Sequence, residues 1–177
     1  QFEDSKLIDR IATCLIENRI EPKSIELEIT ESGAMKNPEL TLERLHEAKS
    51  IGMHVSIDDF GTGYSSLAYL RRFPVDSLKI DRSFMRDVPD DQDNSTLCEA
   101  MIALGHSLGL LVVGEGVETR SQLDFLEGHG CDVIQGFLCS RPVPADGIAG
   151  MVKSGASLLP ASGEAKAHRK ITTKRPS

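Results

Sequence analysis

"VSIDDFGTGYSSL", residues 55–67, opens with the apolar alternation of a buried strand and then sets two carboxylates, Asp58 and Asp59, side by side ahead of a Gly-Thr-Gly turn. Adjacent carboxylates at a strand end raise each other's pKa unless a cation holds them ionised. Taken alone, an Asp-Asp pair followed by glycines reads as a surface turn. The rest of the chain decides against that reading.

Strand-like segments recur at 25–30 (IELEIT), 54–58 (HVSID), 77–81 (SLKID), 110–115 (LLVVGE) and 132–137 (DVIQGF). Helical stripes alternate with them. Residues 5–20 carry apolar side chains at Leu7, Ile8, Ile11, Leu15 and Ile16. Asn37-Pro38 supplies a cap and a first-turn proline for a helix running through Leu42, Leu45 and Ala48 to Gly52. Further helices are predicted over 65–73, 95–109 and 120–130, the last opened by a Thr119/Gln122 capping box, and after Pro144. A loop rich in Asp and Pro is predicted between 81 and 95. Strands separated by helices imply βαβ units and a parallel sheet.

Alternate residues of a strand share a face. One face carries Glu26, Glu28, Thr30, Ser56, Asp58, Ser77, Lys79, Asp81, Val113, Glu115, Val133 and Gln135. The other carries Leu27, Ile29, Val55, Ile57, Leu78, Ile80, Val112 and Ile134. A doubly wound open sheet, covered by helices on both sides, reads apolar on both. A polar face repeated from strand to strand fits the interior of a (β/α)₈ barrel, whose functional residues gather at the C-terminal strand ends.

The chain has 177 residues, 40% hydrophobic and 27% charged, with a net charge of −7 and no tryptophan. This is enough for one globular domain. No apolar run approaches the roughly 20 residues of a membrane span, and no signal peptide is visible, so the expected location is cytoplasmic. Cys14, Cys98, Cys131 and Cys139 form no CxxC pattern and read as reduced thiols. The sequence begins with Gln, from which a piece of a longer protein is expected. Residues 1–153 are assigned to the domain and 154–177 to a disordered basic tail with five Lys/Arg and one acid. The acidic body disfavours a nucleic acid polymer as partner.

The phase argument brings Glu28, Asp58 and Glu115 to one mouth, and Asp59, following where the strand gives way to a turn, is expected to reach it too. Four oxygen ligands without a His or Cys cluster point to a hard divalent cation, Mg²⁺ or Mn²⁺, over zinc. Glu26 faces inward at a deeper level and is read as structural. The five histidines lie away from these segments.

The segments LEITES (27–32), DDFGTGYSSL (58–67), LKIDRSF (78–84), GEGVET (114–119) and QGFLCSRPVP (135–144) resemble the successive motifs of the EAL domain, the bacterial cyclic-di-GMP phosphodiesterase family. The resemblance runs from about residue 1 to 152. It implies a modified TIM barrel in which two Mg²⁺ or Mn²⁺ ions serve hydrolysis of cyclic-di-GMP to linear pGpG. By the same resemblance Glu28, Asp58, Asp59 and Glu115 are metal ligands, Asp58 being shared by both ions. Lys79 orients and activates the attacking water, Asp81 completes a Lys-x-Asp motif, and Glu118 and Gln135 line the site. Glu31 anchors the 59–67 loop.

Resemblance also places the Glu-Ala-Leu signature, its metal-binding glutamate and an asparagine ligand on strands ahead of residue 1. The expectation is therefore a barrel truncated at its N-terminus, with about five strands present, and a fragment inactive by itself. A homodimer through the Tyr69, Arg71 and Arg72 region, and attached GGDEF or sensory domains, are further implied. Two other readings compete: a non-catalytic EAL module that binds cyclic-di-GMP or a protein, and an unrelated acidic metal barrel of the enolase type.

Overall fold

Each apolar alternation becomes a strand, and the strands pair in the order of the chain. The computed structural model describes residues 2, 4–63, 66–155 and 159. Among them β1 (Glu26–Thr30), β2 (His54–Phe60), β3 (Ser77–Ile80), β4 (Leu111–Glu115) and β5 (Val133–Gln135) form one parallel sheet ordered β1-β2-β3-β4-β5. A doubly wound sheet reverses its strand order at a switch point. This sheet never does, which is the winding of a barrel.

Helices α1 (Leu7–Glu17), α2 (Glu31–Lys36), α3 (Pro38–Ser50), α4 (Leu67–Leu70), α5 (Arg82–Met85), α6 (Gln92–Ser107), α7 (Arg120–Gly128) and α8 (Ala145–Ser154) join and follow the strands. The core lies between them and the apolar sheet face, where Ile29, Val55, Ile57, Leu78, Ile80 and Val112 are buried. Each such side chain contributes roughly 1.5–3 kcal/mol relative to exposure. The opposite face remains polar, with Ser56, Ser77 and Lys79 buried on it, and exposes Leu111 and Val133, since no further strand closes over it among the described residues.

Two aspartates tie strand starts to helices in the same way. Asp76, just before β3, donates its amide to the Val55 carbonyl and accepts the Val55 amide on Oδ2 at 2.8 Å, while Lys49 of α3 reaches its carboxylate at 2.7 Å. Asp132, just before β5, repeats this with Val112, whose amide lies 2.9 Å from Oδ2, and with His106 of α6 at 2.9 Å. Each carboxylate satisfies an amide at the end of a neighbouring strand, which would otherwise lack a partner.

Several elements differ from the sequence expectation. Two short helices stand where none was predicted, α2 in the unassigned stretch after the first strand and α5 in the predicted loop, because Thr30 and Asp81 act as N-caps and accept the amides of Gly33 and Ser83. Helix α6 starts at Gln92 rather than Ser95, its cap being Asp91. The helix predicted over 65–73 is only Leu67–Leu70, with turns to Phe73, the residue that Pro74 forces out of helical conformation. β5 is three residues long. Tyr64 and Ser65 lie outside the described residues. So does the expected tail, apart from Ser154, Gly155 and Leu159. No described helix is long and apolar enough to cross a membrane.

Candidate active site

The carboxylate mouth is built from the C-terminal ends of β1, β2, β3 and β4. Parallel register sets Glu28 beside Ser56, Thr30 beside Asp58, Ser56 beside Ser77, and Lys79 beside Val113. Residues paired in this way share a face. Glu28, Asp58, Lys79 and Glu115 therefore converge from four successive strands.

Between β2 and β3 the register shifts. Ile57 pairs with Leu78, but the next pair is Phe60 with Ile80, so Asp58 and Asp59 together oppose Lys79. This is a β-bulge. Asp59 takes the left-handed conformation at φ 53, which aspartate tolerates better than most residues. The strand continues through the pair instead of ending at Asp58, and Phe60 returns to the core. The bulge keeps Asp59 near the inward carboxylates instead of pairing it alone with the opposite face. Burial, and then the charges of Asp58 and Asp81, raise its carboxyl pKa, partly offset by Lys79 and Arg82.

Lys79 sits at the centre with its side chain buried. Its Nζ lies 2.7 Å from Glu28 Oε1, 2.8 Å from Glu115 Oε1 and 3.2 Å from Asp58 Oδ1. Burial alone would lower its pKa; hydrogen bonds to Glu115 and Glu28 and the charge of the adjacent Asp58 carboxylate outweigh that and hold the ammonium well above its ordinary value. Asp58 Oδ1 is nonetheless buried without a hydrogen bond of acceptable geometry, so its contact with Lys79 is ionic only.

That orphaned oxygen and the all-carboxylate donor set fit a hard divalent cation. The carboxylates are not, however, a ready cage. Among the described residues no group of three or more His, Cys, Asp or Glu side chains is arranged to hold a metal, because the Lys79 ammonium stands between them.

Glu31, 1% exposed, accepts the amides of Gly61 at 2.8 Å and Gly63 at 3.3 Å on one oxygen. It thus holds the loop that follows the paired aspartates. Asp81 takes a capping role: strand β3 ends at Ile80, and the Asp81 carboxylate accepts the Ser83 amide at 2.9 Å. Burial would raise its pKa, but hydrogen bonds from Ser83 and the Arg82 amide, with the Arg82 charge, bring it below the usual value. Gln135 is exposed on β5, in register with Glu115. Glu118 is exposed at the rim.

Two neighbours of the mouth escaped the sequence reading. Arg82 contributes positive charge at Asp59 and Asp81, and Gln122, read only as a cap, also spans to another loop. A cavity of about 330 Å³ lies at the opposite strand ends, lined by Lys23, Glu26, His54, Asp76 and Ser77 among others. It is not the site, since Asp76 is engaged by Lys49 and Val55, and Glu26 by the Ser77 hydroxyl at 2.7 Å.

An acidic cluster on the C-terminal ends of consecutively wound strands lies where a barrel carries its functional residues. The sequence matches the EAL domain family over residues 1–142. This chain belongs to the EAL domain family. It is 45% identical over 146 residues to the bifunctional diguanylate cyclase/cyclic di-GMP phosphodiesterase MucR of Pseudomonas aeruginosa, a match covering 82% of this chain and 21% of that protein. Against a solved structure described as the PaMucR phosphodiesterase in complex with c-di-GMP, the TM-score is 0.81 at 44% identity, covering 83% of this chain and 60% of that one. A manganese/c-di-GMP complex of Klebsiella pneumoniae BlrP1 gives a TM-score of 0.73 at 30% identity, covering 80% and 36%. The chain spans about a fifth of the length of the curated relatives it matches.

Proposed function

We propose that the protein carrying this chain is a cyclic-di-GMP phosphodiesterase, with Glu28, Asp58, Asp59 and Glu115 as cation ligands. The observation that carries the reading is the convergence of Glu28, Asp58 and Glu115 on Lys79 at 2.7–3.2 Å. Similarity to proteins described as cyclic di-GMP phosphodiesterases supports the substrate. Bound Mg²⁺ or Mn²⁺, two ions in the complete site, would supply Lewis-acid polarisation of a phosphoryl oxygen and a more acidic water.

The chain's own residues account for the remaining roles. Lys79, the buried cation, orients water and carries positive charge toward an anionic phosphodiester. Glu31 fixes the loop after Asp59, and Glu118, Gln135 and Asp81 border the substrate. The four free cysteines suit a reducing, cytoplasmic compartment. Tyr69, Arg71 and Arg72 are proposed as part of a homodimer surface. Arg71 and Arg72 are exposed, while Tyr69 is half-buried, stacked on Phe73 and beneath the Arg72 guanidinium. GGDEF or sensory domains are proposed as attached partners.

A closed barrel has no free edges, whereas among the described residues β1 and β5 each present one. The five strands alone are therefore proposed to be inactive, and activity to need the strands that close the sheet. The decisive experiment measures Mn²⁺-dependent release of pGpG by the barrel-complete protein and by its Asp58→Asn variant. Turnover should fall by roughly a hundredfold or more in the variant. Tight binding of cyclic-di-GMP without any hydrolysis in the unaltered protein would make it a binding module instead.

A further inference from the structure

Gln122 occupies the third position of α7, where a capping box takes either glutamate or glutamine. Its Oε1 accepts the amides of Glu118 at 2.8 Å and Thr119 at 2.9 Å, and its backbone amide donates to the Thr119 hydroxyl at 3.3 Å. A glutamate could do all of this. It could not donate, and Gln122 Nε2 donates to the Met85 carbonyl at 2.8 Å.

That bond joins the segments that follow the neighbouring strands β3 and β4. Met85 ends α5, the helix capped by Asp81 directly after β3, which carries Lys79. Glu118 and Thr119 end the loop that leaves β4 at Glu115. The two loops also touch through Gly116, at φ 68, whose missing side chain leaves room for Arg82. Such a backbone contact permits sliding. A directional hydrogen bond from a side chain 5% exposed does not.

We propose that Gln122 is a positioning residue of the carboxylate mouth, its bond to Met85 setting where Glu115 stands relative to Lys79. The role matters for catalysis only on the phosphodiesterase reading above. The bridge itself is tested without substrate, on the full 177-residue chain. Gln122→Glu keeps the acceptor needed by the cap and removes the donor.

The readout is the nitrogen-15 signal of the Lys79 side-chain ammonium, whose hydrogens contact Glu115 and Glu28. Proton exchange at that group should quicken by roughly tenfold in Gln122→Glu. Thr119→Ala, which weakens the cap but leaves the bridge, should stay within about twofold of the unaltered chain. Gln122→Met, matched in length and apolar, is read by the same criterion if Gln122→Glu does not fold. The proposal is overturned if the Gln122 variant that folds stays within about twofold, or if Thr119→Ala quickens exchange as much. Failure of the phosphodiesterase reading is separate: it shows as absent pGpG release by the barrel-complete protein, whatever Lys79 does in this chain.

Discussion

Glu31 and Gly61 are thirty residues apart in sequence, and the carboxylate of the first accepts the amide of the second at 2.8 Å while 1% exposed. The Gly63 amide shares the same oxygen at 3.3 Å. A loop leaving a strand end has amides that need partners, and here a single buried acid at the start of α2 provides for two of them. The position of the loop is thereby tied to β1, the strand that also carries Glu28.

Replacing Glu31 with alanine should leave both amides without that acceptor and destabilise the chain by about 2–3 kcal/mol. Glu31→Gln, which keeps a carbonyl oxygen there, should lose less. Urea midpoints measure the cost, and hydrogen exchange at Gly61 and Gly63 locates it. Unchanged exchange at both glycines in Glu31→Ala would falsify the anchoring role.

Lys79 is a shared counter-charge for Glu28, Asp58 and Glu115. Lys79→Met should destabilise the chain by about 2 kcal/mol in chelator, less than a fully buried pair would lose because Glu28 is half exposed. Added Mn²⁺ should raise the melting temperature of Lys79→Met more than that of the unaltered chain, a divalent cation replacing the lost charge. An equal response in both would argue against a common acid cluster. In the barrel-complete protein, Lys79→Ala should cost kcat far more than cyclic-di-GMP affinity.

Asp76 and Asp132 make one prediction as a pair. Asp76→Ala and Asp132→Ala should each lower stability by about 1–3 kcal/mol, since each removes an acceptor from a strand amide. Because the two lie at different strand starts with no shared partner, the double variant should show the sum within about 0.5 kcal/mol. Denaturant titration of the three variants is the check. Strong non-additivity would mean that the two ends of the sheet unfold as separate units.

The buried thiols set an alkaline limit. Burial pushes Cys98 and Cys131 up to about 11, above the ordinary thiol value of about 8.5. A raised folded-state pKa favours the protonated thiol, so this contribution to stability is full below the unfolded value. It is lost as pH rises from about 8.5 through about 11. Under native conditions near neutral pH a thiol reagent should modify exposed Cys14 and leave Cys98 and Cys131 untouched until the chain unfolds. Mass spectrometry of the labelled peptides tests this directly.

Among its described residues the isolated chain offers unpaired edges at β1 and β5 and exposed Leu111 and Val133. It should associate in solution, visible as species larger than a monomer in sedimentation at tens of micromolar, and release no measurable pGpG with Mn²⁺. Robust turnover by these 177 residues would show that no further strands are needed.

The strand phases were legible in the sequence because alternation is local: Leu27 and Ile29, Val55 and Ile57, and Leu78 and Ile80 must share a face whatever else the chain does. The polar face opposite them, with Glu28, Asp58, Lys79 and Glu115 on it, followed from the same period. Distance contacts did not. Asp59 joins the mouth only through a bulge set by the pairing of β2 with β3, and its rule-breaking phase exists nowhere in the sequence of β2 by itself. Two-residue spacing put Asp81 on the face of Lys79, yet the strand stops at Ile80 and the side chain caps a helix, a choice made by where β3 runs out of partners. Gln122 reads as a cap from its spacing to Thr119, while its bond to Met85 depends on the packing of the segments that follow β3 and β4. Sequence period determines which way a side chain points. Only the packing of distant segments decides what it meets there, because hydrogen bonds and ion pairs reach just a few ångströms and the chain must fold to bring such partners within range.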